Sequence, residues 1–452
     1  MRAAGRPRRR ERATGRHVTP SGEGPESTPP WVWCGSARLP VARAHAFEAP
    51  AALEPLPDLD AAVGAALAQP VGAPRLRELA RGARSVTVTI PDASRPCPSG
   101  PVLLAVLDEL AAAGVPDGAV TVAVGCGLHA TTGPAERERL AGREAARRVE
   151  VVDAQGIESE TVDLGETTLG APVCIDRRVA EADLAVTVGV VEPHLYAGFS
   201  GGVKGVAIGC AGLETIAWTH RPAFISEPGV TVAGLRGNPF QATLREIAAR
   251  TPLAWGVNLV LGPGGAKAVR AGDPAAAQEA LAEAEAPAWL RAAGGRYDAV
   301  VAGVHAPKSD GLYQASRAAT YLGLAARPAV ADGGLIVLCA DLPLGAGEGP
   351  GERNFLEVLA GAASPAELLA RGLREPLGPG GQRSFVVAQA LERYRLVVVG
   401  ARDARFLEPL AHLGVAAFDS VDAALAAEDE RLGRRATVLA VADAMATIVT
   451  AS

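Results

Sequence analysis

Three histidines, one lysine and an aspartate–arginine pair are the side chains of this chain best suited to chemistry. His194, Lys204 and His220 fall in the stretch 187–222, TVGVVEPHLYAGFSGGVKGVAIGCAGLETIAWTHRP, with His194 ten residues before Lys204 and His220 sixteen after it. Asp92 and Arg95 stand in Pro91-Asp92-Ala93-Ser94-Arg95-Pro96, and His129 closes Gly125-Cys126-Gly127-Leu128-His129. Imidazole transfers protons near neutral pH and ligates nickel or zinc. A lysine and an arginine beside it favour an anionic substrate. Taken singly, each feature has an ordinary reading: a hydrogen-bonded histidine, an Asp92–Arg95 ion pair, a small buried thiol at Cys126. Taken together they fit metal or general-base chemistry on an anion, and their spacing does not separate a metallohydrolase from a racemase.

The elements that must position these groups read as alternating strands and helices. Ser85 to Ile90 is an apolar strand that runs into the Asp92 loop, Ser99 to Ala113 a helix, and Ala119 to Val124 a strand that runs into the His129 loop. Strand, helix, strand is a βαβ unit, whose parallel strands deliver both loops to one edge of the sheet. Val186 to Val191 reads as a further buried strand, since an apolar run flanked by Gly and Pro fits a sheet covered on both faces. Its exit is the glycine-rich loop. Gly198, Gly201, Gly202 and Gly205 allow positive φ and close approach of a ligand to backbone amides. GFSGGVKG is not a P-loop, because no Ser or Thr follows Lys204.

The expected fold class is α/β, with two α/β domains built on mainly parallel sheets and the site in the cleft between them. Residues 1–37 read as a flexible basic leader, 38–272 as an N-terminal domain carrying His129, His194, Lys204 and His220, 273–294 as a helical connector, and 295–452 as a C-terminal domain. The last alternates strands at 299–303, 335–340, 396–400 and 437–442 with helices, and reads as Rossmann-like although it lacks G-x-G-x-x-G.

Composition narrows the classes. The chain has 452 residues, 48% of them hydrophobic and 21% charged, enough for a large core in two domains. Its net charge is −6, and seven arginines against one glutamate in the first sixteen residues leave the remainder at about −12. An acidic body of this kind excludes a nucleic-acid partner. No apolar run reaches the ~18–20 residues of a membrane helix, and six scattered cysteines without C-x-x-C suit free thiols in a cytoplasmic protein. The sequence assigns no oligomeric state.

Six segments in order carry a resemblance: DASRP at 92–96, GLH at 127–129, EPHLYAGFSGGVKG at 192–205, AGLETIAWTH at 211–220, GNPF at 237–240 and LYQASR at 312–317. They resemble the successive motifs of the nickel-dependent lactate racemase family. The resemblance implies a racemase or epimerase of a small-molecule 2-hydroxy acid, using nickel held in a pincer nucleotide, pyridinium-3,5-bisthiocarboxylic acid mononucleotide. It implies His129 and His194 as the two acid/bases, His220 as the nickel ligand, and Asp92, Ala93, Ser94, Arg95 and Lys204 as cofactor contacts, Lys204 being the lysine that can bond to the thioacid. Arg95, Gln314 and Arg317 would bind substrate. Arg317 stands where the family has lysine. Its planar fork holds a carboxylate bidentately, which opens the substrate to larger 2-hydroxy acids. A sugar-acid or other 2-epimerase of the same superfamily is therefore the nearest alternative, and a His-ligated metallohydrolase without the nucleotide the more distant one.

Overall fold

Leu184–Val190 is buried at every position, and a strand with no solvent face has to lie inside a sheet. It pairs in parallel with Val86–Pro91 on one side and Leu253–Gly262 on the other. Val120–Gly127 and Glu150–Gln155 extend the sheet in parallel beyond Val86–Pro91, and Gly265–Gly272 closes the far edge antiparallel. Numbered along the chain, the strands lie across the sheet in the order 3-2-1-4-5-6. The order reverses between Val86–Pro91 and Leu184–Val190. Chains leave such a pair in opposite directions and open a crevice beyond their carboxyl ends, where ligands of α/β proteins bind. The Asp92 loop and the His194 loop are those two exits. The computed structural model describes residues 30–45, 54–262 and 264–451.

A second sheet is also mainly parallel. Tyr297–His305, Val330–Cys339, Arg395–Val399 and Ala416–Phe418 lie side by side, and Val438–Val441 flanks Tyr297–His305 on its other edge. Further along the same edge the end of Tyr297–His305 pairs directly and in parallel with Trp31–Gly35, Cys34 lying opposite Val304, and Ala37–Pro40 pairs antiparallel outside that strand. This corrects the leader boundary: residues 30–37 are not flexible leader but part of the second sheet, while residues 1–29 lie outside the described residues. Val32 and Cys34 are buried there, and the Arg38 guanidinium covers the rings of Trp31 and Trp33 at 4.1 and 4.9 Å. A strand of five residues is easily lost in an Arg/Pro/Gly-rich composition.

The stretch 273–294 connects the sheets and also packs on the first. Asp273 caps the helix Pro274–Trp289 by accepting from the amides of Ala275 and Ala276, as Asp followed by Pro predicts. The helix buries Gln278, whose Nε2 donates to the Ser200 carbonyl at 2.8 Å. Asn258 Oδ1 accepts from the Gly202 amide at 2.8 Å. Two buried amides thus hold the glycine-rich loop from behind. Glycine is required at 202 because φ is +56° and a Cβ would lie 2.7 Å from Gln278 Oε1, and at 205 because a Cβ would lie 2.3 Å from Thr187 Oγ1. At these two positions glycine serves packing against protein rather than access for a ligand.

One apolar cluster spans both sheets, joining Tyr196, Phe224, Phe240 and Leu244 to Tyr321, Leu338 and Phe355. Among the described residues no helix is long and apolar enough to cross a membrane, and the six cysteines are free and mostly buried.

Gly202→Ala is expected to cost about 1–3 kcal/mol from strain and displacement of Gln278. Denaturant unfolding measures this, and an unchanged midpoint contradicts the account of the loop.

Candidate functional site

The Asp92 loop begins where Val86–Pro91 ends. Asp92 is buried, and its Oδ1 accepts from the Ser94 hydroxyl at 2.6 Å and the Ser94 amide at 3.2 Å. Its Oδ2 lies 2.6 Å from His129 Nδ1. Burial alone would raise the Asp92 carboxyl, but the bonds from His129 and Ser94 more than offset this and hold it below the usual range. An ionised carboxylate at Nδ1 makes that nitrogen the N–H donor and leaves His129 Nε2 with its lone pair. The His129 side chain is 66% exposed, so Nε2 is open to a bound molecule. Ala93 and Ser94 face solvent.

Across the crevice, Glu192 forms an ion pair with Arg95. Burial would raise its carboxyl, yet the charges of Arg95, Lys308, Arg317 and Lys204 hold it down. His194 Nδ1 accepts from the amides of Ala197 and Tyr196 at 3.1 and 3.3 Å. These bonds put its proton on Nε2. Burial, with the charges of Lys204, Arg95, Arg317 and His220, takes its pKa well below the ordinary value, so the ring is neutral. The two histidines are therefore unlike: His129 presents a lone pair and His194 an N–H.

Lys204 and His220 form the floor. Burial and the Arg95 charge, opposed by Glu192, pull the Lys204 ammonium down to about 7, which makes its amine a nucleophile near neutral pH. His220 follows the helix Leu213–Thr219, and its Nδ1 donates to the Ile216 carbonyl at 3.0 Å. Burial and Lys204 lower its pKa to about 4. A neutral imidazole fixed at Nδ1 by a carbonyl presents Nε2 for a metal. The Tyr196 ring stands between His194 and His220, with centroids 5.8 and 5.9 Å away. Among the described residues no three His, Cys, Asp or Glu side chains are grouped to hold a metal ion.

The second sheet supplies the facing wall through the helix Leu312–Gly323. Arg317 Nη1 donates to Gln314 Oε1 at 3.3 Å and Nη2 to the Tyr321 hydroxyl at 2.9 Å, and that hydroxyl reaches the Pro193 carbonyl at 3.5 Å. Asp341, which follows the strand Val330–Cys339, is held by Ser309 and Arg402.

Residues 36–233 match the model of the lactate racemase N-terminal domain. A lactate racemase of Lactiplantibacillus plantarum is 28% identical over 392 residues, covering 85% of this chain and 89% of that protein. One from Thermoanaerobacterium thermosaccharolyticum is 27% identical over 349 residues, 74% of this chain and 78% of that one. The chain is thus similar to the lactate racemases over most of its length. The lactate racemase apoprotein structure from Thermoanaerobacterium thermosaccharolyticum shares the fold, with a TM-score of 0.82 at 22% identity over 93% of this chain and 99% of that one. A Thermotoga maritima protein aligns with a TM-score of 0.64 at 14% identity, covering 89% of this chain and 100% of that one.

Against the expectations for a lactate racemase relative, the structure brings Asp92, Arg95, His194, Lys204, His220 and Arg317 within electrostatic reach of one another or of Glu192. It gives Asp92 to His129 and Ser94. Sequence reasoning passed over Glu192, although it begins the EPH segment, because attention went to the histidine. It also passed over Tyr196, which lies inside that same segment, and Tyr321, which carries no motif signal of its own.

In protein free of cofactor, acylation of Lys204 should follow an apparent pKa of about 7 rather than the ~10.4 of a free lysine. Peptide mass spectrometry across a pH series reads this directly, and reactivity that rises only above pH about 9 contradicts it.

Proposed function

We propose that the chain is an isomerase that inverts the hydroxyl-bearing carbon of a 2-hydroxy acid in the cytoplasm, using a nickel-pincer nucleotide bound in the crevice. The observation that carries this reading is the pairing of Lys204 with His220. A lysine whose ammonium is pulled down to about 7, so that much of it is free amine near neutral pH, stands beside a neutral imidazole that offers Nε2, and protein groups do not complete a metal shell there among the described residues. Those residues fit a nucleotide that attaches to an amine through a thioacid and brings most of the nickel ligands itself. The same observation disfavours a metallohydrolase, which draws about three ligands from protein. When bound, the nucleotide supplies an acceptor for the carbon-bound hydrogen as a hydride.

The chain's own residues handle the anion and the oxygen-bound proton. Arg317, braced by Gln314 and Tyr321, binds the carboxylate, and Arg95 lies on the opposite side beside Glu192. His129 Nε2 accepts the hydroxyl proton, and Asp92 stabilises the imidazolium that results. A base so placed contributes roughly 10²- to 10⁴-fold. His194 donates from Nε2 to the substrate oxygen. To serve as the base for the other enantiomer it has to move its proton to Nδ1 and give up the Ala197 and Tyr196 amides. The two imidazoles together give one proton group for each face of the substrate.

Holoprotein is expected to carry nickel in stoichiometric amount and His220→Ala to lose it while keeping its fold. Retention of nickel in the variant removes the ligand assignment. His129→Ala and His194→Ala should each abolish racemisation, and full activity in either ends the two-imidazole scheme. Deuterium on the substrate carbon should be kept through inversion, whereas free wash-out into water points to proton abstraction instead.

A further inference from the structure

Arg383 lies on the helix Gly381–Leu391 of the second sheet's domain and is 9% exposed. Its Nε and Nη1 are buried without a hydrogen-bond partner. The guanidinium sits over the Tyr313 ring, 5.8 Å from its centroid, and Tyr313 precedes Gln314 on the helix that carries Arg317. A ring face eases burial of a cation, but it accepts none of the in-plane N–H bonds. Arg317 keeps a buried, unpartnered Nε of its own. Tyr196 is 6% exposed, and its hydroxyl also has no partner. The charges of both Arg383 and Arg317 act on that hydroxyl, while its ring stands between His194 and His220. Three buried donor groups on two domains thus converge next to the candidate active site with their hydrogen bonds unmade. A buried charge left this way costs several kcal/mol, which an oxyanion with two acceptor atoms would offset.

Resting on the racemase reading for the kind of molecule bound, we infer that Arg383 and the Tyr196 hydroxyl form a second carboxylate site, so that the substrate is a 2-hydroxy acid carrying another carboxylate on its side chain. Arg317 takes the carboxylate next to the hydroxyl-bearing carbon. Arg383 takes the distal one, and the Tyr196 hydroxyl donates to it. A short apolar side chain would leave both Arg383 and the Tyr196 hydroxyl unsatisfied.

Calorimetric titration of the purified full-length protein with 2-hydroxypropanoate, 2-hydroxybutanedioate and a nucleoside 5′-monophosphate tests the assignment. The dicarboxylate is expected to bind at least about tenfold more tightly than the monocarboxylate, the worth of one charge-assisted pair. Arg383→Met should erase that ratio and Arg383→Lys restore part of it, with thermal melts confirming that both variants fold. Equal affinity for the two acids in the unaltered protein overturns the proposal without reference to any variant. So does a ratio that survives in Arg383→Met, or Arg383-dependent binding of the nucleoside monophosphate in place of the dicarboxylate. Inversion of each acid is followed in parallel on holoprotein. Arg383-dependent dicarboxylate binding without inversion supports the site and removes the racemase reading, whereas inversion without a dicarboxylate preference removes the site and leaves the racemase reading standing.

Discussion

The site depends on one carboxylate set among four cations. Glu192 is paired with Arg95 and lies within the field of Lys204, Lys308 and Arg317, so groups from both sheets share it. With positive charge in excess and water partly excluded, each further cation is disfavoured. Burial, reinforced by this surplus, is why the Lys204 ammonium is pulled down to about 7 and remains partly charged, and why both buried imidazoles are neutral, while Glu192 stays ionised. The same surplus makes the crevice receptive to anions. Chemistry that needs a nucleophilic amine, a neutral imidazole for a metal and a place for a carboxylate obtains all three from a single electrostatic arrangement.

Strand order accounts for where this arrangement forms. The first sheet has the 3-2-1-4-5-6 order of dinucleotide-binding proteins, yet its first turn is Asp-Ala-Ser-Arg rather than a glycine fingerprint. An Asx turn closed by Ser94 stands where glycines would bring a pyrophosphate close to backbone. The topology thus keeps the crevice and changes what lines it: ionisable side chains, Asp92, Arg95 and His129, take the place of amides that hold phosphate.

Much of this was legible in the sequence, and the exceptions share a cause. Long apolar runs such as Leu184–Val190 and Leu253–Gly262, and the Asp273-Pro274 helix start, declare themselves locally, because burial on both faces and capping chemistry are written in adjacent residues. Trp31–Gly35 and Gly265–Gly272 were missed because each is held by a partner distant in the chain or at a sheet edge, and short strands carry little periodicity. The Ala/Arg/Glu-rich stretch 134–147 has helix-forming composition throughout, yet it breaks at Gly142, whose φ is +82°, into Pro134–Ala141 and Ala145–Arg148. In the site, histidines and glycines drew attention by type. Tyr196 and Arg383 acquire meaning only through what surrounds them, which no spacing in the sequence reports.

From Trp31 the described chain lies in the second sheet, then builds the first and returns. Its final strand, Ile448–Thr450, lies parallel to Leu290–Ala292 just where the return takes place. The first sheet is thus nested inside the second as an insertion with two covalent tethers, not strung beside it on one. Two tethers restrict swinging to a hinge about the line that joins them. Movement about that line would carry Arg317 and Arg383 together, since both stand on helices that belong with the second sheet.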